Sequence, residues 1–370
     1  MNTGKIPENI LKRSVLRQIK TEGKEVLNGA GIGEDCAIFS FSDRYVTSCM
    51  QEAAVRLKDD DMEAVKCDTE PRITMTHLIK RCANNLAAAG AQPVAVMITL
   101  LLPKTLEEPD LKILMGEAEE ICKELSMSIV GGQTRVFGKV TAPIAVVTGF
   151  GELSLNQDVA DNVAENLTDH IAGCAADHIT ENAVGYTSRN AAPGQDIVVS
   201  KWIGLEGTSL LARRYRENLV TRYPAYLVDE AARFDRYLSV LQEAAVAIEF
   251  GVCAMHDASE GGIFAALWEL AEAAGVGLTI DMKKLPLRQE TVEICEYCNV
   301  NPYELLSGGS LIMTAKDGPG LVTRLKEKGI AAVLVGKVTD SNDRLLLNSD
   351  EIRYMDRPKR DEIYRVFQGF

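Results

Sequence analysis

The sequence predicts an α+β protein built from two domains. Its 370 residues are enough to form two hydrophobic cores. Short apolar runs typical of strands alternate with segments whose apolar residues recur at helical spacing. Glycine-rich turns follow several predicted strands, and ligands usually bind at such strand ends in proteins that mix helices with sheets. We therefore expect mixed domains whose glycine-rich turns build a ligand site.

Composition and charge exclude several classes of protein. The chain is 46% hydrophobic and 25% charged, which is typical of a globular protein, and its net charge of −13 argues against a nucleic-acid or anionic-membrane partner. It has no apolar run of transmembrane length and no signal-peptide core near the N-terminus. Nine cysteines, an odd number, fit free thiols in a reducing cytoplasm better than a disulfide framework. We expect a cytoplasmic protein.

The first half of the chain is predicted to alternate helices with strands. Residues 7–19 carry apolar residues close to helical spacing, and Pro7 suits a first helical turn. The apolar runs 37–41 and 44–50, joined by a short polar turn, predict a β-hairpin. The wholly apolar run 94–102 predicts a strand buried on both faces. The other elements expected here are helices over 73–89 and 111–125 and strands over 129–130 and 144–150.

Two segments break this alternation. Residues 51–72 are polar and irregular, which predicts a mobile loop, and the acid run 59–61 within them is interpreted as a solvated face. Apolar residues recur every four positions in 152–192, which predicts an amphipathic helical insertion. Cys174 and His178 would share a face of that helix, but two ligands alone make a poor metal site.

A turn at 193–196 begins the second domain, so we expect domains over 1–151 and 193–370 joined by the 152–192 insertion. The loop 201–208 contains two glycines and opens a helix, an arrangement that can cradle an anion. Cys295 and Cys298 are better interpreted as half-buried thiols than as a redox centre. The expected strands are 197–200, 251–255, 278–280, 311–314, 331–335 and 344–347, and the expected helices include 209–216, 289–298 and 319–328.

The glycine-rich stretch Gly29–Ile38 places two adjacent carboxylates, Glu34 and Asp35, before a predicted strand. Glycine lets the backbone turn sharply and approach a ligand closely. Carboxylates at a strand edge can hold Mg²⁺, which is usually bound by one or two carboxylates plus substrate phosphates. An exposed acidic turn would have the same sequence, so both interpretations stay open on these residues alone.

Three further motifs follow. Asn84-Asn85-Leu86-Ala87 ends a predicted helix, and Gly131-Gly132-Gln133-Thr134 predicts a second glycine turn. His256 and Asp257 precede the pair Gly261-Gly262 at a predicted strand end. His256 could act as a general acid or base near neutral pH, or it could be a histidine whose hydrogen bonds are satisfied at the strand end.

Taken in order, four motifs resemble the aminoimidazole ribonucleotide synthetase superfamily. That group includes the purine-ring cyclase, thiamine-monophosphate kinase, selenophosphate synthetase and a hydrogenase maturation factor. The resemblance spans nearly the whole chain and is closest to the hydrogenase-maturation-like branch, through residues 256–262 and the loop 202–208. The four motifs are Gly-Ile-Gly-Glu-Asp-Cys-Ala, Asn-Asn-Leu-Ala-Ala-Ala-Gly-Ala-Gln-Pro, Gly-Gly-Gln-Thr and Met-His-Asp-Ala-Ser-Glu-Gly-Gly.

The resemblance implies a fold and an activity. The N-terminal domain would pair its strands across a homodimer to form a barrel, and a C-terminal α/β domain would pack against it. ATP and Mg²⁺ would bind between the domains, and the protein would phosphorylate or activate an oxygen of an unknown substrate. That substrate could be a small molecule or a protein that carries a modified thiol. His256 and Asp257 would be catalytic, and Glu34 and Asp35 would bind metal. The implied nucleotide-binding residues are Gly33, Glu34, Asp35, Asn85, Gly131, Gly132, Gln133, Thr134, Gly261 and Gly262.

Three departures from the family pattern affect that implied metal site. Cys49, Asn85 and Gln133 stand where the family has carboxylates. Affinity for Mg²⁺ depends on the charge of the ligands, and a thiol is too soft to be a good ligand. The hydrogenase maturation factor ends in a cysteine that carries a carbamoyl group, whereas this sequence has no cysteine after Cys298, so that reaction is not expected.

Two hypotheses therefore remain. The first is an ATP-dependent, ligase- or kinase-like enzyme with an altered metal site. The second is a catalytically degenerate paralogue that serves as a binding or scaffold protein.

Overall fold

The computed structural model describes residues 4–20, 23–41, 44–57, 71–153 and 185–367. The acid run 59–61, the predicted insertion except for its ends, and both Cys174 and His178 lie outside these residues.

A six-stranded sheet organises the N-terminal half. Its strand order is β1-β2-β3-β6-β4-β5, and every neighbouring pair is antiparallel except β4 and β5. The predicted hairpin is confirmed as β2 and β3, in which Cys36 lies opposite Cys49. The strands are β1 Val26–Asn28, β2 Cys36–Phe41, β3 Arg44–Ala54, β4 Ala91–Leu102, β5 Ser128–Val136 and β6 Ile144–Leu153.

Helices cover one face of this sheet. The helices of this half are α1 Glu8–Ser14, α2 Met75–Ala88 and α3 Glu108–Glu124. The side chain of Thr74 caps α2 by accepting the backbone N–H of His77. The predicted apolar stripe of α2 is buried against β3 and β6, so this helix presents its polar residues near position 85 at a fixed place.

A seven-stranded sheet organises the C-terminal half, in the order β13-β12-β9-β11-β7-β10-β8. Only β12 and β9 pair in parallel. The strands are β7 Asp196–Ser200, β8 Ala254–Ala258, β9 Gly277–Asp281, β10 Ser310–Ala315, β11 Ala332–Thr339, β12 Arg344–Asn348 and β13 Glu351–Tyr354. The helices are α4 Leu205–Arg214, α5 Arg216–Arg222, α6 Ala225–Ala232, α7 Leu241–Phe250, α8 Gly262–Ala274, α9 Gln289–Cys298, α10 Gly318–Glu327 and α11 Glu362–Phe367.

One apolar core runs continuously from the N-terminal half into the C-terminal half. It contains Leu78 and Leu86 of α2 together with Leu211 of α4, Ile294 of α9 and Phe367 of α11. Burial of such side chains is worth about 1.5–3 kcal/mol each. The two sheets are therefore held to each other by packing as well as by the site described below.

Three expectations about local structure were wrong. Strand β4 is not buried on both faces, because Val94 and Met97 are exposed on the face without helices. Gly131–Thr134 form no turn but lie within β5, and a side chain at Gly132 would overlap the Ile98 carbonyl, so glycine permits close pairing with β4. His256 and Asp257 lie inside β8 rather than after it.

The predicted helix over 7–19 is shorter than expected. It consists of α1 and a separate 3₁₀ turn, Leu16–Gln18. Among the described residues, no helix combines the length and the apolar character that crossing a membrane requires.

A glycine substitution tests the packing of α2 on the sheet. In Gly149→Ala, the new methyl group would overlap Sγ of Cys82 and lie 3.1 Å from Cδ1 of Leu86. We expect the free energy of unfolding to fall by about 1–3 kcal/mol. In the control Gly116→Ala, on the exposed side of α3, the methyl group meets no atom within 4 Å, and a gain of about 0.5–1 kcal/mol is expected. Urea unfolding measures both, and equal effects would contradict this packing.

Candidate functional site

A cleft of about 1090 Å³ lies between the two halves. This exceeds the roughly 300–1,000 Å³ of most small-ligand pockets and is large enough for a nucleotide. The N-terminal half contributes the loop 31–35, the end of β3 and Arg81, whereas the C-terminal half contributes residues 260–261, Glu269 and the segment 358–364. Residues 4–11 close a further side of the cleft.

Glu34 is buried at the edge of this cleft, and both of its carboxylate oxygens are hydrogen-bonded. The Nε of Arg189 donates to Oε1 at 2.7 Å, and the Nδ2 of Asn28 donates to Oε2 at 2.6 Å. Burial raises the pKa of Glu34, while Asn28 and Arg189 partly oppose that rise. The first residue of the predicted metal pair is therefore engaged by the protein itself.

His256 lies between carboxylates on the buried strand β8. Its Nδ1 is 3.0 Å from Oγ of Ser188 and 3.8 Å from Oδ2 of Asp35, and its Nε2 is 3.4 Å from Oε2 of Glu269. Burial lowers the pKa of His256, but the hydrogen bond to Glu269 and the charge of Asp35 outweigh burial and raise that pKa to about 9. At neutral pH the ring is thus a cation or an acid rather than a base.

The N-terminal segment carries Lys5 into the same corner. Its Nζ donates to Oε1 of Glu269 at 2.7 Å, and its backbone N–H donates to Oε1 of Glu260 at 2.8 Å. Burial opposes the ionisation of Glu269, but Lys5 and His256 lower its pKa to about 2. Glu8, the first residue of α1, also anchors this N-terminal segment, because its carboxylate accepts the indole N–H of Trp268 at 3.0 Å. Both oxygens of Glu269 are therefore paired with nitrogen donors.

Asn85 and Asp257 join the two halves at the floor of the cleft. With its amide nitrogen facing β8, Asn85 donates to both carboxylate oxygens of Asp257 at 3.1 Å, and its own oxygen accepts Nε2 of Gln51 at 2.8 Å. Burial and the nearby charge of Asp35 raise the pKa of Asp257 to about 7. An aspartate at position 85 would instead place a carboxylate directly against Asp257.

Cys49 belongs to a group of thiols beneath the site. Its Sγ is 3.5 Å from Sγ of Cys82, and Cys36 is its partner across the strand pair. The hydrogen bond with Cys36 and burial raise the pKa of Cys49, so this thiol stays protonated. It packs against α2 and is absent from the lining of the cleft. Cys49 is thus positioned as a core residue.

The structure does not bring the predicted residues Gly131, Gly132, Gln133 and Thr134 to this cleft. They lie on β5, the exposed edge strand, which is four strands from β2 in the sheet order. At about 4.8 Å between neighbouring strands, that separation is on the order of 19 Å along the sheet. Of the predicted set, Gly33, Glu34, Asp35 and Gly261 line the large cleft, and Asn85, His256 and Asp257 line a small cavity beside it.

Magnesium does not fit the donors that these residues offer. Within the described ranges, no group of three or more histidine, cysteine, aspartate or glutamate residues is arranged to hold a metal ion. Glu34 is bonded to Arg189 and Asn28, and Asn85 presents an amide N–H to Asp257. Only Asp35 remains as a partly exposed carboxylate of the predicted metal pair.

Several residues of the site were not predicted from the sequence. Arg81 lines the cleft and donates to Oε1 of Glu206 from Nε at 2.9 Å. Arg81 lies four residues before Asn85, so helical spacing would have placed it on the same face of α2. Lys5 and Glu269 are 264 residues apart, and no spacing in the sequence joins them.

The fold and the site together define a two-domain protein with a nucleotide-sized cleft between its domains. Comparison with known protein families gives the same division into an N-terminal and a C-terminal domain. A family model described as "AIR synthase related protein, N-terminal domain" matches residues 33–153, and its C-terminal counterpart matches 192–347. The chain belongs to this AIR synthase related family.

Curated relatives and solved structures refine the similarity. A hydrogenase expression/formation protein of Methanocaldococcus jannaschii is 25% identical over 98% of this chain and 97% of its own. Carbamoyl dehydratase HypE of Rhodobacter capsulatus is 26% identical over 69% of this chain, which spans 66% of that relative. A HypE crystal structure in complex with ATP shares the fold, with a TM-score of 0.63 and 16% identity over 96% of each chain.

The pH dependence of stability tests the burial of Asp361, which accepts the backbone N–H groups of Gly261 at 2.6 Å and Ile363 at 2.8 Å. Burial raises its pKa from 3.8 to about 7. Because the folded pKa exceeds the unfolded pKa, the stability contributed by the proton is present below about pH 4 and is lost as the pH rises through 7. Between about pH 4 and pH 7, the free energy of unfolding of the wild type should therefore fall by up to about 4 kcal/mol relative to that of Asp361→Asn.

Urea unfolding at a series of pH values measures this difference. The matched control is Asp317→Asn, which alters an exposed helix-capping aspartate. If the wild type and Asp361→Asn had parallel pH profiles, the burial of this carboxyl group would be contradicted.

Proposed function

We propose that this chain binds ATP in the cleft and phosphorylates, and so activates, an oxygen atom of its substrate. The observation that carries the proposal is the meeting of two glycine turns in one nucleotide-sized cleft. Gly33 contributes from the N-terminal half and Gly261 from the start of α8 in the C-terminal half, and both have positive φ, at 72° and 88°. The HypE neighbour with ATP supports the choice of nucleotide.

The start of α8 suits a phosphate group. This 13-residue helix begins at Gly262, directly after the cleft residue Gly261. A helix N-terminus carries partial positive charge and favours anions. Lys5 and Arg81 add two cationic side chains to the cleft lining. Phosphoryl transfer depends mainly on such positioning and charge stabilisation.

His256 and Asp257 take different roles in this proposal. A protonated His256 would stabilise negative charge on the moving phosphoryl group or donate a proton. Asp257, with its pKa raised to about 7 by burial and Asp35, is suited to accept the proton of the acceptor hydroxyl group. The amide of Asn85 holds both Asp257 oxygens in place.

Calorimetry and thermal unfolding with the non-hydrolysable analogue AMP-PCP test the binding step. At millimolar analogue we expect measurable heat and a melting temperature raised by about 2 °C or more. Asp257→Asn should keep its AMP-PCP affinity within about threefold but lower basal ATP hydrolysis about 100-fold. Asp340→Asn, an exposed turn residue, is the control. Neither heat nor a thermal shift in folded wild-type protein would refute ATP binding.

A second candidate function is a binding or scaffold protein without catalysis. It is favoured by the internal hydrogen bonds of Glu34 and by Cys49, Asn85 and Gln133, which stand where the family pattern has carboxylates. A folded protein that binds no AMP-PCP would support this candidate.

We further propose a homodimer that forms through the N-terminal sheet, in a reducing cytoplasmic compartment. The open side of this sheet exposes apolar side chains, namely Met50, Val94, Met97 and Val130, with exposures of 59%, 47%, 41% and 59%. The edge strand β5 also offers backbone groups for pairing with another chain.

Free cysteines fit a reducing compartment, and the seven described cysteines form no disulfide with one another.

Light scattering at micromolar concentration tests the dimer. The wild type should have twice the chain mass of 40.4 kDa. The double variant Met97→Asp with Val130→Asp should be monomeric, because it places charge on the apolar face. Ile352→Asp, at an equally exposed position in β13 of the other half, should leave the dimer intact. A monomeric wild type, or a dimer that survives the double variant, would contradict this interface.

A further inference from the structure

We propose that nucleotide binds in this cleft without a divalent cation, and that Lys5 and Arg189 supply the positive charge in its place. The proposal rests on the ATP-binding function above and specifies its chemistry. The resemblance to the family implies magnesium, whereas most of the carboxylates that could bind it here are hydrogen-bonded to nitrogen donors of the same chain.

Both carboxylate oxygens of Glu34 and of Glu269 already have nitrogen partners. Glu34 accepts from Arg189 at one oxygen and from Asn28 at the other, at 2.7 and 2.6 Å. Glu269 accepts from Lys5 at 2.7 Å, and its second oxygen lies 3.4 Å from Nε2 of His256. A metal ion would have to replace these nitrogen donors. Glu34 and Glu269 are thus each paired with a cation that the fold holds in place.

Asn85 provides Asp257 with a hydrogen-bond donor from within the protein. The amide donates to both oxygens of the carboxylate at 3.1 Å, so one acceptor site on each oxygen of Asp257 already faces an N–H donor. An N–H donor satisfies a carboxylate without any cation. The substitution of the family carboxylate by Asn85 therefore removes a ligand and also occupies another carboxylate.

Asp35, the one remaining carboxylate of the predicted metal pair, has little space on the side that faces β8. Nδ1 of His256 faces it at 3.8 Å. The cavity that Asp35 shares with Asn85 and Asp257 has a volume of about 20 Å³. A cavity of that size holds about one water molecule. Mg²⁺ usually keeps several waters and demands octahedral geometry, so this cavity does not suit it. Asp35 also lines the large cleft, but its neighbour Glu34 is paired there with Arg189 and Asn28, so Asp35 would offer Mg²⁺ a single carboxylate of the predicted pair.

Two cations are accessible to a ligand, Lys5 in the cleft lining and Arg189 beside the cleft residue Glu34. The side chain of Lys5 is half-exposed and lines the cleft, and Glu269 takes one of its three N–H donors. Arg189 is 44% exposed where it pairs with Glu34. An ammonium or guanidinium group can bind phosphate oxygens directly.

The main test compares AMP-PCP binding to the full chain by calorimetry in EDTA and in 5 mM Mg²⁺, a concentration on the order used to saturate nucleotide with metal. We expect the two dissociation constants to agree within about threefold. Binding that needs Mg²⁺, or that is tenfold tighter with it, would overturn the proposal and leave the ATP-binding function standing. Absence of binding in both conditions would instead refute the ATP-binding function and this inference together.

Lys5→Met tests the proposed source of positive charge. In EDTA its AMP-PCP affinity should fall about tenfold. Lys12→Met is the matched control, because Lys12 anchors the same segment through Glu8 and Glu272 but does not line the cleft. An equal loss in both variants would mean that the segment acts through its anchoring, which would overturn the role of the Lys5 charge.

Asn85→Asp tests the arrangement in the absence of nucleotide. The new carboxylate would face Asp257, so the melting temperature should fall in EDTA and recover by several degrees with Mg²⁺ alone. Asn85→Ser, which removes the amide without adding charge, and the wild type should show no Mg²⁺ response. A Mg²⁺ response of the wild type that Asp35→Asn abolishes would overturn the proposal, and this arm does not require Asn85→Asp to fold.

Discussion

The contact between the amide of Asn85 and the carboxylate of Asp257 is the interaction on which the site depends. It joins α2 of one half to β8 of the other, at 3.1 Å to both oxygens. Because the donor is neutral, Asp257 is held in place without a counter-cation, and burial together with Asp35 raises its pKa to about 7. The contact thus links the two halves, which a shared apolar core also holds together, while burial and the charge of Asp35 bring the pKa of Asp257 close to neutral pH.

The charges around this contact form one connected network. Lys5 bonds Glu269, Glu269 faces His256, and His256 in turn faces Asp35. Such buried charges are costly unless they are paired, and breaking one pair leaves its partner unsatisfied. The N-terminal segment, the strand β8 and the helix α8 are therefore coupled through the site, and the cleft carries its cations as part of the fold.

Much of the fold could be predicted from the sequence, because apolar spacing reports burial directly. The hairpin of β2 and β3 and the helix α2 are examples, and the convergence of Asp35, Asn85 and Asp257 followed from the motif resemblance. The open face of β4 could not be predicted, because an apolar run looks alike whether a helix or another surface covers it. Gly131 and Gly132 were misassigned because glycine serves close strand pairing as well as turns. The bond of Lys5 to Glu269 depends on tertiary packing over 264 residues.

The central claim is that cations held by the fold at a nucleotide-sized cleft, and not a bound metal ion, meet the charge of the nucleotide. Anomalous diffraction from crystals soaked with Mn²⁺ and AMP-PCP tests it most directly, because manganese takes the oxygen ligands that magnesium takes and scatters anomalously. The account predicts nucleotide density in the cleft, with its phosphates near Lys5 and the start of α8, and no manganese peak on a protein carboxylate. A manganese peak coordinated by Asp35 and Asp257 would contradict it.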